Sequence, residues 1–194
     1  YQTAFARWRG TQQCRSECSL FTGELAAPLA VGLGNESPLE VGLTAYHVYG
    51  MPCIPGSALK GLCRRGALKL PEGAVTEAQR AVIFGDPKLA AHLVFWDAWY
   101  DPASVEGKPF KRDVVTVHHP KYYSTNGGEW PTDFDDPTPV PFLVVKPGAR
   151  FLFALDAPAV EWAQFATLLL QWSLKSLGVG GKTNAGYGYF GETW

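Results

Sequence analysis

The chain has 194 residues, of which 46% are hydrophobic and 18% charged, and its formal net charge is −1. That much apolar side chain supplies a core for one good-sized domain spanning 1–194 and places the chain among globular proteins. The near-neutral balance excludes a globally basic protein, so any contact with nucleic acid has to come from a local cationic face. Aromatic residues reach 13%, with seven tryptophans, while charged residues fall below the roughly 25% usual in soluble domains. Such a surface is expected to be covered by partners, as in a subunit of an assembly.

Four cysteines, Cys14, Cys18, Cys53 and Cys63, show neither CxxC spacing nor a nearby histidine pair, so free intracellular thiols are expected rather than a zinc site. No apolar run reaches the roughly 18 residues that span a bilayer. Nothing at the start resembles a signal peptide, and a cytoplasmic protein with no cofactor and no membrane partner is expected. The first residue is Tyr1 rather than a methionine, which leads to the expectation that native sequence precedes it, part of the first strand included.

Residues 1–40 offer Phe5, Trp8, Leu20, Phe21 and Leu25 as apolar anchors and a loop over 32–38, without a clear period. From Val41 to Tyr49 a strand is expected, with His47 packed among its aromatics, and 50–55 turns it into a helix running from an N-cap at Ser57 to about Leu70. At 100° per residue Leu59, Leu62, Cys63, Ala67 and Leu70 share one arc and Lys60, Arg64, Arg65 and Lys69 the other. The helix thus has a core face and a cationic face. A short helix over 76–84 ends at Gly85, and His92 to Trp99 reads as a buried strand in which the Asp97 carboxylate must find a hydrogen-bond partner.

The stretch 100–141 is far longer than the usual connection of about 4 to 6 residues. It is rich in Pro, Gly and Asp yet carries Val114, Val115, His118, His119, Tyr122, Tyr123 and Trp130, so it reads as a protruding element that orders against RNA or a neighbour. Asp133, Asp135 and Asp136, flanked by prolines, read as turn formers rather than Mg²⁺ ligands. Residues 142–146 and 150–156 are expected to pair as a hairpin across Pro147 and Gly148. Residues 159–177 read as a buried helix whose only polar stripe is Glu161, Gln164, Thr167, Gln171 and Lys175, closed by Gly178, and 187–190 as the last short strand. The order strand, helix, strand, insertion, strand, helix, strand predicts an α+β, ferredoxin-like (RRM-like) fold with an antiparallel sheet and both long helices on one face.

Five glycines fall within residues 178–188, leaving backbone N–H groups open to a close approach, with Lys182 and Thr183 placed to complete an anion's shell. A nucleotide P-loop is rejected: the position five before Gly181 is Ser176 rather than glycine, and the loop follows a helix instead of joining a strand to one. The plainer reading is a helix C-cap followed by a turn.

Two motifs, IPGSALKGLCRR at 54–65 and GVGGKTNAGYGYF at 178–190, resemble those of the RAMP superfamily of CRISPR effector proteins, whose glycine-rich loop follows the second helix of a ferredoxin-like fold. Between them FWDAWY, DVVTVHHPKYYS and PVPFLVVKPGARF resemble the small RAMP subunit at the end of the backbone of the type III-B Cmr complex. The resemblance covers residue 40 to the end. It implies a non-catalytic subunit of an antiviral ribonucleoprotein that binds the 3′ part of the guide RNA and the guide/target duplex and caps the backbone filament. Its implied partners are guide RNA, target RNA, neighbouring RAMP backbone subunits and the small helical subunit, with target cleavage in another, repeated subunit. The expected RNA contacts are Ser57, Lys60, Arg64, Arg65, His118, His119, Tyr122, Tyr123, Gly178, Gly180, Gly181, Lys182, Thr183 and Asn184. The alternative is a metal-independent CRISPR RNA-processing endoribonuclease with His47, His118 or His119 as general acid or base.

Overall fold

The computed structural model describes residues 1–35 and 41–192, so the loop expected over 32–38 lies partly outside the described residues. In chain order the elements are α1 (Gln2–Gln13), β1 (Cys18–Glu24), β2 (Cys53–Ile54), α2 (Gly56–Ala67), α3 (Glu77–Phe84), β3 (Val94–Phe95), β4 (Ala98–Tyr100), β5 (Phe110–Val117), α4 (Pro120–Ser124), β6 (Thr138–Val145), β7 (Arg150–Asp156) and α5 (Val160–Ser176). The main sheet has the order β1-β7-β4-β2, with β3 also on β7, and every pairing is antiparallel. A bridge between Leu25 and Phe190 sets the last segment beside the end of β1. With β1, β3/β4, β7 and that segment as the four strands, the arrangement is consistent with the expected ferredoxin-like order.

Strand alternation fixes which side chains meet which helices. Phe21 lies opposite Phe153, Gly23 opposite Phe151 and Ser19 opposite Leu155, and Ser19 Oγ accepts a hydrogen bond from Thr167 Oγ1 of α5 at 2.8 Å. This face carries α5, and α2 packs on α5 where Gly66 lies so close to Ser173 that a Cβ would stand 2.1 Å from its Oγ. The core is built here. Phe151, Phe153, Leu155, Leu59, Cys63, Leu170 and Leu174 are all buried, each large apolar side chain contributing roughly 1.5–3 kcal/mol of transfer free energy. The other face holds Trp99, opposite Leu152, on which Trp8 of α1 stacks with centroids 5.2 Å apart. That helix is not evident in the sequence because its only buried residues are Phe5 and Gln12.

Several expected elements take a different form. No strand forms over 41–49: Tyr46 donates its N–H to Met51 and accepts from Gly50, closing a turn in which His47 is exposed rather than packed. α2 starts at Gly56 after Pro55, so Ser57 is not its N-cap; the Gly56 N–H donates instead to Asp97 Oδ1 at 2.8 Å. Asp97, expected to be buried, is exposed. It reaches that position because the strand over 92–99 is broken: Phe95 faces Leu155 and Trp99 faces Leu152, four steps against three. The extra residue is a β-bulge, a device that re-aims side chains.

Residues 142–146 pair with β5, not with β7. The cause is the chain after β1, which inserts between the two: Leu25 donates to Ala149, Gly148 donates to Leu25, and Leu29 and Val145 exchange both backbone bonds. The insertion is therefore a two-stranded antiparallel arm, β5 with β6, carrying α4 and a loop at its far end. α5 is buried along one side only, since Val160, Leu168 and Trp172 are exposed. Residues 187–190 form a single bridge rather than a strand, because Gly188 has φ +77°, incompatible with extended backbone.

Candidate nucleic-acid interface

The glycine-rich loop packs first against its own chain. Gly181 donates to Ala30 O at 2.8 Å, Gly188 to Pro28 O at 2.7 Å, and Val179 to Gly188 O at 2.9 Å. A Cβ on Gly180 would sit 2.3 Å from Ala30 O, and one on Gly188 would sit 1.9 Å from Val179 O. Both have positive φ. The glycines at 180, 181 and 188 therefore serve a close approach to residues 28–30 and to the loop itself, and the Gly181 N–H is not open to an anion. What the loop does offer is the turn beyond. Lys182 adopts the left-handed conformation, φ 58° and ψ 29°, ahead of a single 3₁₀ turn, Thr183–Ala185. The backbone N–H groups of Lys182, Thr183 and Asn184 make no hydrogen bond to a described residue. Successive N–H groups in such a turn form a concavity suited to an anion. Lys182 and Asn184 are exposed, and the Lys182 ammonium lies 5.7 Å from the Phe142 ring centroid, a cation–π distance.

Helix α2 meets this loop along one flank. Arg65 Nη2 donates to Leu177 O at 3.3 Å and Gly178 O at 3.4 Å, satisfying carbonyls left orphaned at the end of α5 and placing a cation at the negative end of its dipole. Between the elements lies a cleft of about 250 Å³ lined by Ala58, Gly61, Leu62, Arg65, Gly178, Val179 and Gly180. The structure thus joins Arg65 to the glycine loop, while Lys60 and Arg64 face another cleft on the opposite flank. Ser57 is exposed on the first turn.

His118, His119, Tyr122 and Tyr123 stand at the far end of the arm. His119 Nδ1 lies 2.9 Å from Asp135 Oδ2, and Asp135 also accepts from the Thr132 N–H and hydroxyl. This is the turn expected of the proline-flanked aspartates, with a histidine added. The hydrogen bond from His119 holds the Asp135 carboxyl below its usual range. Tyr122 and Tyr123 meet edge to face at 5.4 Å, and Tyr123, Trp130 and Phe134 are 67%, 85% and 96% exposed. Phe134 goes unnoticed in the sequence, though an aromatic between aspartates in a turn has no core to enter. The arm and the loop are tied by Tyr187, whose hydroxyl donates to Asp113 Oδ2 at 2.8 Å, a link no sequence spacing announces.

Among the described residues, no three of His, Cys, Asp and Glu gather closely enough to hold a metal ion. Burial pushes the Cys63 thiol up to about 12 and the Cys53 thiol up to about 11, which makes both unreactive packing residues at neutral pH. No described helix is long and apolar enough to cross a membrane.

The comparisons with known proteins agree with this architecture. The family model described as the RAMP superfamily matches residues 22–191. A curated relative, CRISPR system Cmr subunit Cmr6 of Pyrococcus furiosus, is 29% identical over 82% of the chain, which spans 64% of that relative's length. The crystal structure of Cmr6 from Pyrococcus furiosus superposes with a TM-score of 0.60 at 26% identity, over 92% of this chain and 99% of that one. A chain in the cryo-EM structure of the type III-B Cmr-beta bound to cognate target RNA has a TM-score of 0.73 at 20% identity, over 97% of this chain and 63% of that one. With the family model running from within β1 through the glycine-rich loop, the chain belongs to the RAMP superfamily.

Proposed function

We propose that the chain is a non-catalytic RNA-binding subunit of a type III-B Cmr effector ribonucleoprotein, cytoplasmic, binding guide RNA and the guide/target duplex at the end of the backbone filament. Support comes from the likeness to Cmr6 and from one geometric observation. The turn at Lys182, Thr183 and Asn184 presents unbonded N–H groups and an exposed lysine beside a cleft that contains Arg65. Phosphate binding needs cations and N–H groups, and base binding needs aromatic faces such as those at the arm's tip. The candidate histidines of the nuclease reading are dispersed: His47 in the turn after residue 45, His118 and His119 at the end of the arm, with His119 engaged by Asp135.

Labelled guide-like RNA titrated with the chain at two salt concentrations, with and without other Cmr subunits, tests the reading. Binding that weakens with salt and is lost on changing Lys182→Ala, with no RNA shortened, is expected. Cleavage abolished by His118→Ala or His119→Ala would replace it with the nuclease.

A further inference from the structure

Helix α2 is a ridge with a cleft on each side. The second cleft holds about 400 Å³ and is lined by Lys60 and Arg64 on one wall and by Phe84, Gly85, Asp86, Pro87, Leu89, Ala90 and Ala91 on the other. That volume falls within the range of ligand sites and exceeds that of the cleft at the glycine loop. Neither Lys60 nor Arg64 forms a salt bridge with a described residue. The far wall is fixed: Asp86 Oδ1 accepts from the N–H groups of Lys88 at 2.7 Å and Leu89 at 2.8 Å, and Asp86 N–H donates to Leu89 O at 2.9 Å. One carboxylate oxygen is thereby tied to the turn, and the cleft keeps two cations against one acidic group.

We infer that this second cleft is a phosphate subsite for single-stranded RNA, so that the strand crosses α2 with phosphodiester groups on both flanks. The inference rests on the RNA-binding reading above and extends it to the wall at 85–91. A polymer is the fitting ligand because Lys60 and Arg64 line one cleft while their chain neighbours Gly61 and Arg65 line the other. Residues one apart are rotated by about 100° around a helix, so only a chain of phosphates reaches both sides, whereas a mononucleotide fills one.

The test uses two variants of equal charge change on the same turn. Ala90→Glu places a carboxylate on the cleft wall at an exposed residue, and Lys88→Ala removes one positive charge from a side chain that does not line the cleft. Affinity for a labelled oligouridylate is measured against salt, with melting temperature as the check on folding. Ala90→Glu should weaken binding several-fold and lower the salt slope by roughly 0.7, the one phosphate contact of this subsite on a single strand. Lys88→Ala should leave the slope nearly unchanged, and Ala90→Arg should tighten binding. Equal effects of Ala90→Glu and Lys88→Ala would reduce the cleft to a general field effect and overturn the inference while RNA binding stands. Failure of the unsubstituted chain to bind the oligouridylate at all, alone and with the other Cmr subunits, overturns the RNA-binding reading and the subsite together.

Discussion

The glycine-rich loop and the tip of the inserted arm both present exposed groups to solvent, and they are held by opposite means. The loop is fastened backbone to backbone: Gly181 to Ala30, Gly188 to Pro28, Val179 to Gly188. Its neighbours Leu25, Leu29 and Ala30 are fully buried. The tip is a five-residue helix and a turn closed by Asp135, with Trp130 and Phe134 standing in solvent. In the loop, residue identity at the glycines is dictated by the fold, and the turn beyond, with Lys182 and Asn184, is exposed. At the tip the fold dictates little: Tyr123, Trp130 and Phe134 are exposed, and packing does not set their identity.

The comparison breaks most visibly at the glycines. Gly188→Val combines positive φ, costing an L residue about 1–2 kcal/mol, with a forced backbone contact costing about 1–3 kcal/mol. A total near 3 kcal/mol should lower the melting temperature by roughly 10 °C in a domain of this size. Gly180→Val should behave alike, and Gly180→Asn should not rescue it, because any Cβ meets Ala30 O. Gly186 is the control: its φ is +87° but nothing lies within 4 Å of its Cβ position, so Gly186→Asn should stay within about 0.5 kcal/mol. Equal losses at 186 and 188 would remove the close-approach argument.

At the tip the expectation reverses. The double change Tyr123→Ala with Trp130→Ala should leave the denaturation midpoint within about 0.5 kcal/mol of the parent. RNA affinity should fall by about 1–3 kcal/mol for each base that loses a stacking partner. A stability loss without an affinity loss would make the tip a structural element and dissolve the contrast.

A smaller effect belongs to the start of α2. Asp97→Ala removes the acceptor for the Gly56 N–H and should cost about 1 kcal/mol, the usual worth of an N-terminal cap. Asp97→Asn, which keeps an acceptor, should retain most of the stability in urea titration; a null result for Asp97→Ala would mean water replaces the carboxylate.

The sequence carried the helices well where a period or cap was strong. The apolar arc of Leu59, Leu62, Cys63 and Ala67 is the buried face of α2, and Thr76 with Gln79 forms a capping box at α3. It misled where pairing is decided at long range. Nothing local says that 25–31 inserts between β6 and β7, so the apparent hairpin at Pro147 and Gly148 dissolved into two sheets. For the site, the basic helix and the loop were each legible, but their contact through Arg65 was not; the partner of Gly180 is a backbone oxygen at Ala30, and backbone atoms leave no trace in residue type. Arg65, grouped with Lys60 and Arg64 by charge, was separated from them only by the position of the α5 C-terminus.

The bond between arm and loop gives the finest test. Tyr187 donates to Asp113, and this hydrogen bond, first among several causes, holds the Asp113 carboxyl below the ordinary range. A depressed carboxylate contributes stability that is present above its unfolded pKa, about 3.9, and lost as pH falls through the lower folded value. Tyr187 is shifted the other way, raised by burial and then by the Asp113 carboxylate. Its contribution is present below the unfolded value, about 10, and is lost as pH rises through the folded one. The parent should therefore exceed Tyr187→Phe in stability on a plateau between about pH 4 and pH 10, with the difference shrinking on both sides. Because Asp113 is partly exposed, the plateau should stand at no more than about 1 kcal/mol. Asp113→Asn should flatten the acid limb and shrink the alkaline one to the part that burial of Tyr187 causes. A difference that persists unchanged into acid would mean that the Tyr187 hydroxyl is worth as much beside a neutral Asp113 carboxyl as beside the carboxylate, and that arm and loop are coupled by the hydrogen bond without help from this charge.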